Sequence, residues 1–473
     1  MKSPLSWQPD MSDVDGPLYI ALSDRMARDI ADGRLSEGTR LPPQRALAWA
    51  LGVTHGTVTR AYERAEKMGL VKGEIGRGTF IAPLERPTSP LMPEEEVLSE
   101  LDLAHNFPLS HLDPDLGEAF GALSQQAGIG RVLNYTPIEG LIRHREAGRA
   151  LFSYFGVDAP IERILLTSGA QHALQVVLQG IFKDGDMLAV EALNYPGLIS
   201  AAPRLGLRLA PVMADAEGMR ADLLDELCRK RPVAGLVIGP NVHNPSGRPT
   251  SPKRLEELAE CARRHDLWVI EDDPYCPILT VPKNSMSKTI PERTCSIASA
   301  SKILGGGLRT GFICAPQSVR SSLLRVIADI SSMSSPIGAE LVRYWIDSGE
   351  IDRNRERKRE ALNQRHAIAR AQFGKAIELY PERFCGWLHL PAHQNPAVFE
   401  LEAARRGITV LGAHHFAVGT SPVPAAARLA LGAIPSVSQF EKALMLLGDF
   451  MRDLAGTASV GADRELHDNE LEA

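Results

Sequence analysis

The stretch Ser299-Ala-Ser-Lys302-Ile-Leu-Gly-Gly-Gly-Leu-Arg309-Thr-Gly places one lysine between two serines and an arginine, with three glycines before the arginine. Lys302 can act as a nucleophile towards an aldehyde if cationic neighbours or desolvation lower its pKa. Ser299 and Arg309 can bind an anion on either side of it, and the glycines allow close approach of the backbone. An exposed loop can have the same composition, so this stretch alone leaves both interpretations open.

Two upstream segments end in polar side chains that could complete a site around Lys302. Residues 267–272 form an apolar strand pattern that ends at Asp272, and Tyr275 follows three residues later. A pyridoxal ring needs an anion at its pyridine nitrogen and a donor at its phenolic oxygen, which Asp272 and Tyr275 can supply. Residues 234–239 form another buried strand pattern, and the turn after it carries Asn244.

A further strand pattern, Arg163 to Thr167, leads through Gly169 and Ala170 into a helix predicted to run from Ala170 to Phe182. A helix N-terminus that contains a glycine favours phosphate binding. Taken singly, each of these residues has a structural explanation. Together they all lie at the carboxyl ends of predicted parallel strands, where open α/β sheets bind ligands.

In this order the motifs resemble a fold-type I, class I aminotransferase domain from about residue 105 to 455, with a large part to about 320 and a smaller α+β part from about 335. The resemblance implies pyridoxal 5'-phosphate as the cofactor and Lys302 as the Schiff-base lysine. It also implies one group of further cofactor ligands: Asp272 at the pyridine nitrogen, Tyr275 and Asn244 at the phenolic oxygen, Ser299, Arg309 and the Gly169 and Ala170 amides at the phosphate, and Tyr195 stacked on the ring.

Two more roles follow from the same resemblance. Tyr135, within Asn134-Tyr-Thr-Pro-Ile-Glu-Gly140, matches the tyrosine that this family's homodimer lends across the interface to the phosphate. Arg428, within Ala427-Arg-Leu-Ala-Leu-Gly432, matches the arginine that binds a substrate α-carboxylate. A surface arginine that opens a strand is the alternative interpretation of Arg428.

The first 82 residues predict a separate winged helix-turn-helix of the α+β class. Apolar residues at helical spacing predict a helix from Leu18 to Gly33, and a short helix with Pro43 near its first position ends at Gly52. A third helix is expected from Thr54 to Gly69, with Val58, Tyr62 and Ala65 buried on one stripe. Strands 70–72 and 79–82 would form the wing.

The motifs Gly38-Thr-Arg-Leu-Pro42, Leu51-Gly-Val-Thr54 and Gly76-Arg-Gly-Thr79 resemble the GntR family of bacterial repressors. That resemblance implies a double-stranded DNA operator as partner. The expected DNA-binding residues are Arg40, Arg45, Thr54, His55, Thr57, Thr59, Gly76 and Arg77. Residues 40–80 hold seven Lys or Arg against three Glu, which gives this segment a net charge of +4, whereas the whole chain has a net charge of −6. A local positive charge on an acidic protein is expected of a small DNA-binding domain.

A GntR-type reader joined to an aminotransferase domain is the architecture of the MocR-type regulators, which the chain resembles end to end. Residues 83–104 are expected to be a linker whose last part, 94–104, is a helical lead-in, and residues 456–473 a disordered acidic tail. We expect a transcriptional regulator that senses pyridoxal phosphate or an amino compound, or both, through aldimine formation. The alternative is an aminotransferase acting on an amino acid, with DNA binding secondary, because the residues for transamination are intact.

Composition adds several expectations. The chain has no apolar run long enough to cross a membrane and starts without a secretory apolar core, so a bacterial cytoplasmic protein, nucleoid-associated when bound to DNA, is expected. The six cysteines lack paired spacing and predict neither disulfides nor a zinc site, and His414 and His415 show no ligand partner at useful spacing. No metal is expected. The basic segment Asp352 to Arg370 is expected to be a solvated face, with contact to DNA backbone as the alternative.

Overall fold

The structure is a computed structural model that describes residues 5–9, 11, 17–31, 34–35, 38–67, 70–74, 78–81, 100–280 and 284–469. Its helices are α1 Leu18–Ala31, α2 Gln44–Leu51, α3 His55–Lys67, α4 Leu116–Ser124, α5 Ile142–Ser153, α6 Ala170–Ile181, α7 Pro196–Arg204, α8 Ala221–Lys230, α9 Pro252–Arg264, α10 Gln317–Ser331, α11 Pro336–Asp347, α12 Glu350–Phe373, α13 Pro396–Arg405 and α14 Val437–Asn469. Its strands are β1 Val71–Glu74, β2 Gly78–Ile81, β3 Leu101–Asp102, β4 Ile164–Thr167, β5 Met187–Glu191, β6 Arg208–Val212, β7 Ala214–Asp215, β8 Gly218–Met219, β9 Val233–Ile238, β10 Trp268–Asp272, β11 Thr294–Ser299, β12 Gly311–Cys314, β13 Ile377–Glu378, β14 Cys385–His389, β15 Ile408–Thr409, β16 Leu411–Gly412 and β17 Ala426–Ala430.

The N-terminal unit has the predicted three helices followed by a two-stranded wing. Strands β1 and β2 pair antiparallel, with Val71 opposite Ile81. Met26 of α1 packs against the stripe of α3 that the sequence predicts to be buried, and Val58 of that stripe is fully enclosed. Gly52 ends α2 in the left-handed conformation, which a glycine adopts without steric cost. The predicted winged helix-turn-helix is confirmed.

A seven-stranded sheet forms the large domain, in the order β4-β12-β11-β10-β9-β5-β6. Strand β12 runs antiparallel to both of its neighbours, and the remaining pairs in the sheet are parallel. Neighbouring residues of one strand face opposite cores: Leu165 packs with α6 and α10, whereas Leu166 packs with α5 and α11. Burial on both faces explains why these strands are continuous apolar runs in the sequence.

The small domain is built on the antiparallel sheet β13-β14-β17-β16, covered by α12, α13 and α14. Residues 101–102 pair in parallel with β15, so this part of the predicted helical lead-in is a strand. The local sequence pattern favours a helix, but pairing with residues 408–409 provides hydrogen-bond partners for the backbone of residues 101–102, and this tertiary contact decides the conformation. No helix in the described part of the chain is long and apolar enough to cross a membrane.

The prediction of a solvated basic face on α12 holds for only part of the segment, because Arg353 and Arg357 are exposed but other cations are not. Lys358 is fully buried and donates to Asp113 Oδ1 at 2.6 Å. Arg355 is also buried; it donates to the carbonyl of Pro277 and lies over the Tyr154 ring. These cations are enclosed because each finds an anionic or carbonyl partner, which periodicity within α12 alone cannot show.

The last helix continues into the segment for which the sequence predicts disorder. The backbone of α14 is helical to Asn469, and residues 470–473 lie outside the described residues. Apolar residues of α14 up to Leu454 pack against the small-domain core. Helical hydrogen bonding is local, so a polar segment can form a helix that its composition does not predict.

Candidate functional site

A cavity of about 2550 Å³ opens where the parallel strands of the large sheet end and the small domain meets them. The loops after β4, β5, β9, β10 and β11 contribute to its walls, together with residues of β17. The sequence-predicted residues that line the cavity are Ala170, Tyr195, Asn244, Asp272, Tyr275, Ser299, Lys302, Arg309 and Arg428. Residues from 170 to 428 in the chain thus meet at one place.

Lys302 lies just beyond the end of β11 with its amine free of any carboxylate partner among the described residues. Its Nζ donates a hydrogen bond to the backbone carbonyl of Asn106 at 3.1 Å. The same Nζ lies 4.8 Å from the centroid of the Tyr275 ring. The amine is therefore positioned by neutral groups, which leaves it available to a ligand.

Asp272 and Tyr275 occupy the same wall, at the end of β10. One carboxylate oxygen of Asp272, Oδ1, is buried and has no hydrogen-bond partner. Burial, with a smaller effect of Asp273, raises the pKa of Asp272 to about 7. The Tyr275 hydroxyl accepts a hydrogen bond from Nδ2 of Asn106 at 3.0 Å. The Asp272 oxygen is thus an acceptor without a donor, on a residue that lines the cavity.

The groups predicted to bind an anion lie together at the start of α6. Gly169, with φ 91°, precedes this helix, and a side chain there would come within 2.8 Å of Arg309 Nη2. Arg309 itself has a positive φ of 46°, a strained conformation for a residue with a side chain. Ser299 Oγ accepts from the amide of Ser301 at 3.2 Å. One hydroxyl, a guanidinium and a helix N-terminus are thus available in one region.

The two predicted tyrosines differ in placement. Tyr195 follows β5, stands before α7 and lines the cavity, where burial raises the pKa of its phenol. Tyr135 is 91% exposed and does not line the cavity of its own chain. Leu133 beside it is 78% exposed, so this segment presents apolar surface to the outside.

Arg428 is not a surface arginine, because its side chain is buried within β17. Its Nη1 donates to Asn244 Oδ1 at 3.0 Å and its Nη2 to the carbonyl of Ala104 at 2.8 Å. The guanidinium lies 4.9 Å from the centroid of the Phe416 ring, while Nε has no partner. A buried guanidinium with a free donor next to a cavity can bind a carboxylate.

Sequence reasoning missed several residues of this site. Asn106 contacts both Lys302 and Tyr275, yet it lies just after the segment predicted to be a helical lead-in, where no local motif marks it. Ser301 lines the cavity with a buried hydroxyl that has no partner, and its place next to Lys302 could have indicated it. His414 and His415 also reach the cavity, and Glu400 of α13 supplies the ligand partner that their sequence spacing does not show.

The predicted DNA-reading residues lie around the start of α3. Thr54 caps this helix, since its Oγ1 accepts from the amide of Thr57 at 3.2 Å, and His55 is exposed. Thr59 Oγ1 donates to Gln44 Oε1 at 2.9 Å, which ties α3 to α2. Arg40 and Arg45 are exposed on the same unit. The two predicted wing residues, Gly76 and Arg77, lie outside the described residues.

Known proteins resemble both parts of the chain. The family model for aminotransferases of class I and II matches residues 100–445, and the model for the gntR family of bacterial regulatory proteins matches residues 18–81. The HTH-type transcriptional regulator YdeF of Bacillus subtilis is 27% identical over 457 residues, which cover 95% of this chain and 98% of that protein.

A second relative is the vitamin B6 salvage pathway transcriptional repressor PtsJ of Salmonella typhimurium. It is 28% identical over 393 residues, which cover 82% of this chain and 89% of PtsJ. Among solved structures, an archaeal alanine:glyoxylate aminotransferase matches with a TM-score of 0.70 and 23% identity, over 76% of this chain and 92% of that one. The structural match establishes the fold of the larger part.

Proposed function

The chain belongs to the aminotransferase class I and II family and carries a GntR-family domain at its N-terminus, and from this premise we propose that it is a transcriptional regulator that responds to a small molecule bound in the cavity. The observation that carries the proposal is that both units occur in one chain, and that a relative named as a transcriptional regulator aligns with 95% of it. The GntR domain binds operator DNA, and the protein acts in the bacterial cytoplasm.

Pyridoxal phosphate is the cofactor that the cavity fits best. The buried Asp272 Oδ1 lacks a donor, and a protonated pyridine nitrogen would supply one. The N-terminus of α6 and the guanidinium of Arg309, which lie close together, suit a phosphate dianion. When bound, this cofactor supplies an aldehyde with which amines condense.

The chain's own residues then have separate tasks. Asp272 holds the ring nitrogen, Tyr275 and Asn244 bond the phenolic oxygen, and Tyr195 covers the ring face. Ser299, Arg309 and the amides of residues 169 and 170 hold the phosphate, and Lys302 presents its amine. Because Arg428 is buried and retains a free Nε donor, it binds the carboxylate of an amino compound that enters the cavity.

We further propose that the protein works as a homodimer in which Tyr135 reaches the phosphate of the neighbouring subunit. Tyr135 is almost fully exposed, and it belongs to an apolar surface segment with Leu133. Large exposed apolar side chains close together are typical of protein interfaces. A dimer would carry two reader domains and so would favour paired half-sites on DNA, as direct repeats or as a palindrome.

An aminotransferase acting on an amino acid is the second candidate. The complete set of Lys302, Asp272 and Arg428 around one cavity supports it, because a sensor alone does not require an intact reaction site. The regulator is favoured because the reader domain keeps a full core and exposed basic residues at its DNA-facing helices.

Footprinting of the DNA that flanks the protein's own gene tests the proposal. We expect protection of paired half-sites by the full-length protein, with a pattern that changes when pyridoxal phosphate is added. No protection in either state, together with rapid turnover of an amino acid and a keto acid, would favour the second candidate.

A further inference from the structure

Three potential metal ligands meet at the rim of the cavity. Glu400 is on α13, whereas His414 and His415 lie in the short 3-10 helix Ala413–Phe416. Nε2 of His415 lies 3.0 Å from Glu400 Oε2 and 3.1 Å from Oε1, and Nε2 of His414 lies 3.8 Å from the same Oε2. Two imidazoles therefore face one carboxylate across the same small space.

The spacing of these atoms is close to that of a coordination sphere. Ligand atoms at about 2.0–2.2 Å from a shared tetrahedral zinc ion lie about 3.4 Å apart. The ligand atoms of the three residues all lie within 4.8 Å of one another. Small movements of the side chains would thus bring all three into coordination distance.

The surroundings hold these ligands in place. The amide of Gly412 donates to Glu400 Oε2 at 2.9 Å, which orients the carboxylate in the way that outer-shell hydrogen bonds orient metal ligands. A side chain at Gly412 would come within 2.8 Å of His414 Nδ1, so the glycine leaves room for that ring. A simple ion pair between Glu400 and His415 would not require the second imidazole at the same oxygen.

We propose that Glu400, His414 and His415 bind one divalent transition-metal ion of the zinc class at the rim of the cavity. Two imidazoles and a carboxylate suit zinc, nickel and cobalt better than calcium or magnesium, which prefer oxygen ligands. All three side chains remain partly exposed and line the cavity, so a fourth position is open to water or to a ligand inside it.

An ion at this site would act on the residues next to it. The carbonyl of Phe416, one residue after His415, accepts from the amide of Asn194 at 2.7 Å, directly before Tyr195. The ring of Phe416 also supports the guanidinium of Arg428. The ion would therefore stiffen the support of both the ring-covering tyrosine and the carboxylate-binding arginine. This consequence rests on the proposed function, whereas binding of the ion does not.

A second group of possible ligands, Cys228, Cys261 and His265, provides an internal control. It joins α8 to the end of α9 and does not line the cavity. Its histidine is already engaged, since Nε2 of His265 lies 2.7 Å from Asp225 Oδ1. Thiolate ligands also have a distinct spectroscopic signature, so the two places can be told apart.

Titration of the chelator-treated full-length protein with Co²⁺ tests the site. We expect one ion per chain, with visible d–d absorption and no near-ultraviolet thiolate-to-cobalt charge-transfer band, and displacement by Zn²⁺. Glu400→Gln and His415→Asn should each weaken binding by more than about 100-fold, the upper range for loss of an outer-shell partner. Cys228→Ser should bind as the original chain does.

Three results would overturn the proposal: no uptake of Co²⁺, a charge-transfer band that Cys228→Ser removes, or unchanged uptake by Glu400→Gln. A melting curve of each metal-free variant that matches the original chain shows that lost uptake is not unfolding. If Glu400→Gln does not fold, His415→Asn decides, because its side chain is smaller than the imidazole and fits the same space. Because the readout is metal uptake, the result is independent of DNA binding and of cofactor binding.

Discussion

Arg428 of β17 donates a hydrogen bond from Nη1 to Oδ1 of Asn244 at 3.0 Å, and so connects the small-domain sheet to the turn that follows β9 in the large domain. A carboxylate that binds the free Nε donor of Arg428 would share the guanidinium with this bond. Our proposal gives Asn244 a place at the phenolic oxygen of the cofactor as well. Through Arg428 and Asn244, ligand binding in the cavity can therefore change the position of the small domain relative to the large domain, as a sensor requires.

Arg428→Lys should weaken binding of an amino-acid effector more than it weakens binding of the cofactor. Loss of a charge-assisted hydrogen bond costs about 1.5–3 kcal/mol, which is about tenfold to a hundredfold in affinity. Calorimetric titration with amino acids measures the change. Arg365→Lys is the matched control, since Arg365 is equally buried but donates to the carbonyls of Leu431 and Pro435. An equal loss of affinity in both variants would contradict the role of Arg428.

Lys302→Ala and Lys302→Arg should both abolish covalent attachment of pyridoxal phosphate, because neither offers a primary amine that condenses with the aldehyde. Reduction with borohydride followed by mass spectrometry of the intact chain measures the attachment. The fold should persist, since among the residues that the structure describes the lysine makes one hydrogen bond, to the carbonyl of Asn106. A trapped adduct in either variant would show that another amine is the attachment point.

Asp272→Asn should remove a pH dependence of stability from the cofactor-free protein. Burial raises the pKa of Asp272 to about 7, whereas an unfolded aspartate titrates near 4. The stability that comes from the protonated carboxyl is fully present below about pH 4 and is lost as the pH rises through 7. The melting temperature should fall more steeply between pH 4 and pH 8 for the original chain than for the variant. Parallel curves would mean that the carboxyl is not perturbed.

Arg45→Ala should weaken operator binding without changing the absorption of bound cofactor. A contact to a base edge is worth about 1–3 kcal/mol and sets preference at one position, whereas a phosphate contact lowers affinity for all sequences and reduces the salt slope by about one. Gel-shift titrations at several salt concentrations separate the two cases. Arg452→Ala, which removes an exposed arginine from α14, is the control. Equal affinity of both variants for operator DNA would show that Arg45 of α2 does not contribute to DNA recognition.

Tyr135→Phe should reduce retention of the cofactor in the homodimer, because the phosphate would lose one hydrogen bond from the neighbouring subunit. Mixing Tyr135→Phe chains with Lys302→Ala chains tests the crossing. If Tyr135 reaches the neighbouring subunit, a mixed dimer has one site with both the tyrosine hydroxyl and Lys302, and one site that lacks both. We therefore expect about one full-affinity site per mixed dimer in a cofactor titration. If mixing restores none, Tyr135 acts within its own chain.

The order of elements and the main cavity residues could be predicted from the sequence because the signals are local. Strands buried on both faces are short apolar runs, and Lys302, Asp272 and Asn244 each follow such a run within a few residues. Apolar residues at helical spacing, among them Met26, likewise predict the buried faces of the helices in the N-terminal domain.

Only the tertiary structure decided which distant groups meet. Asn106 reaches Lys302 across 196 positions of the chain, and Glu400 reaches His415 from another helix. Lys358 is buried because Asp113, far away in sequence, pairs with it. Periodicity reports which face of an element is covered, whereas contacts between elements depend on how their side chains pack, and that information is not carried by any single segment.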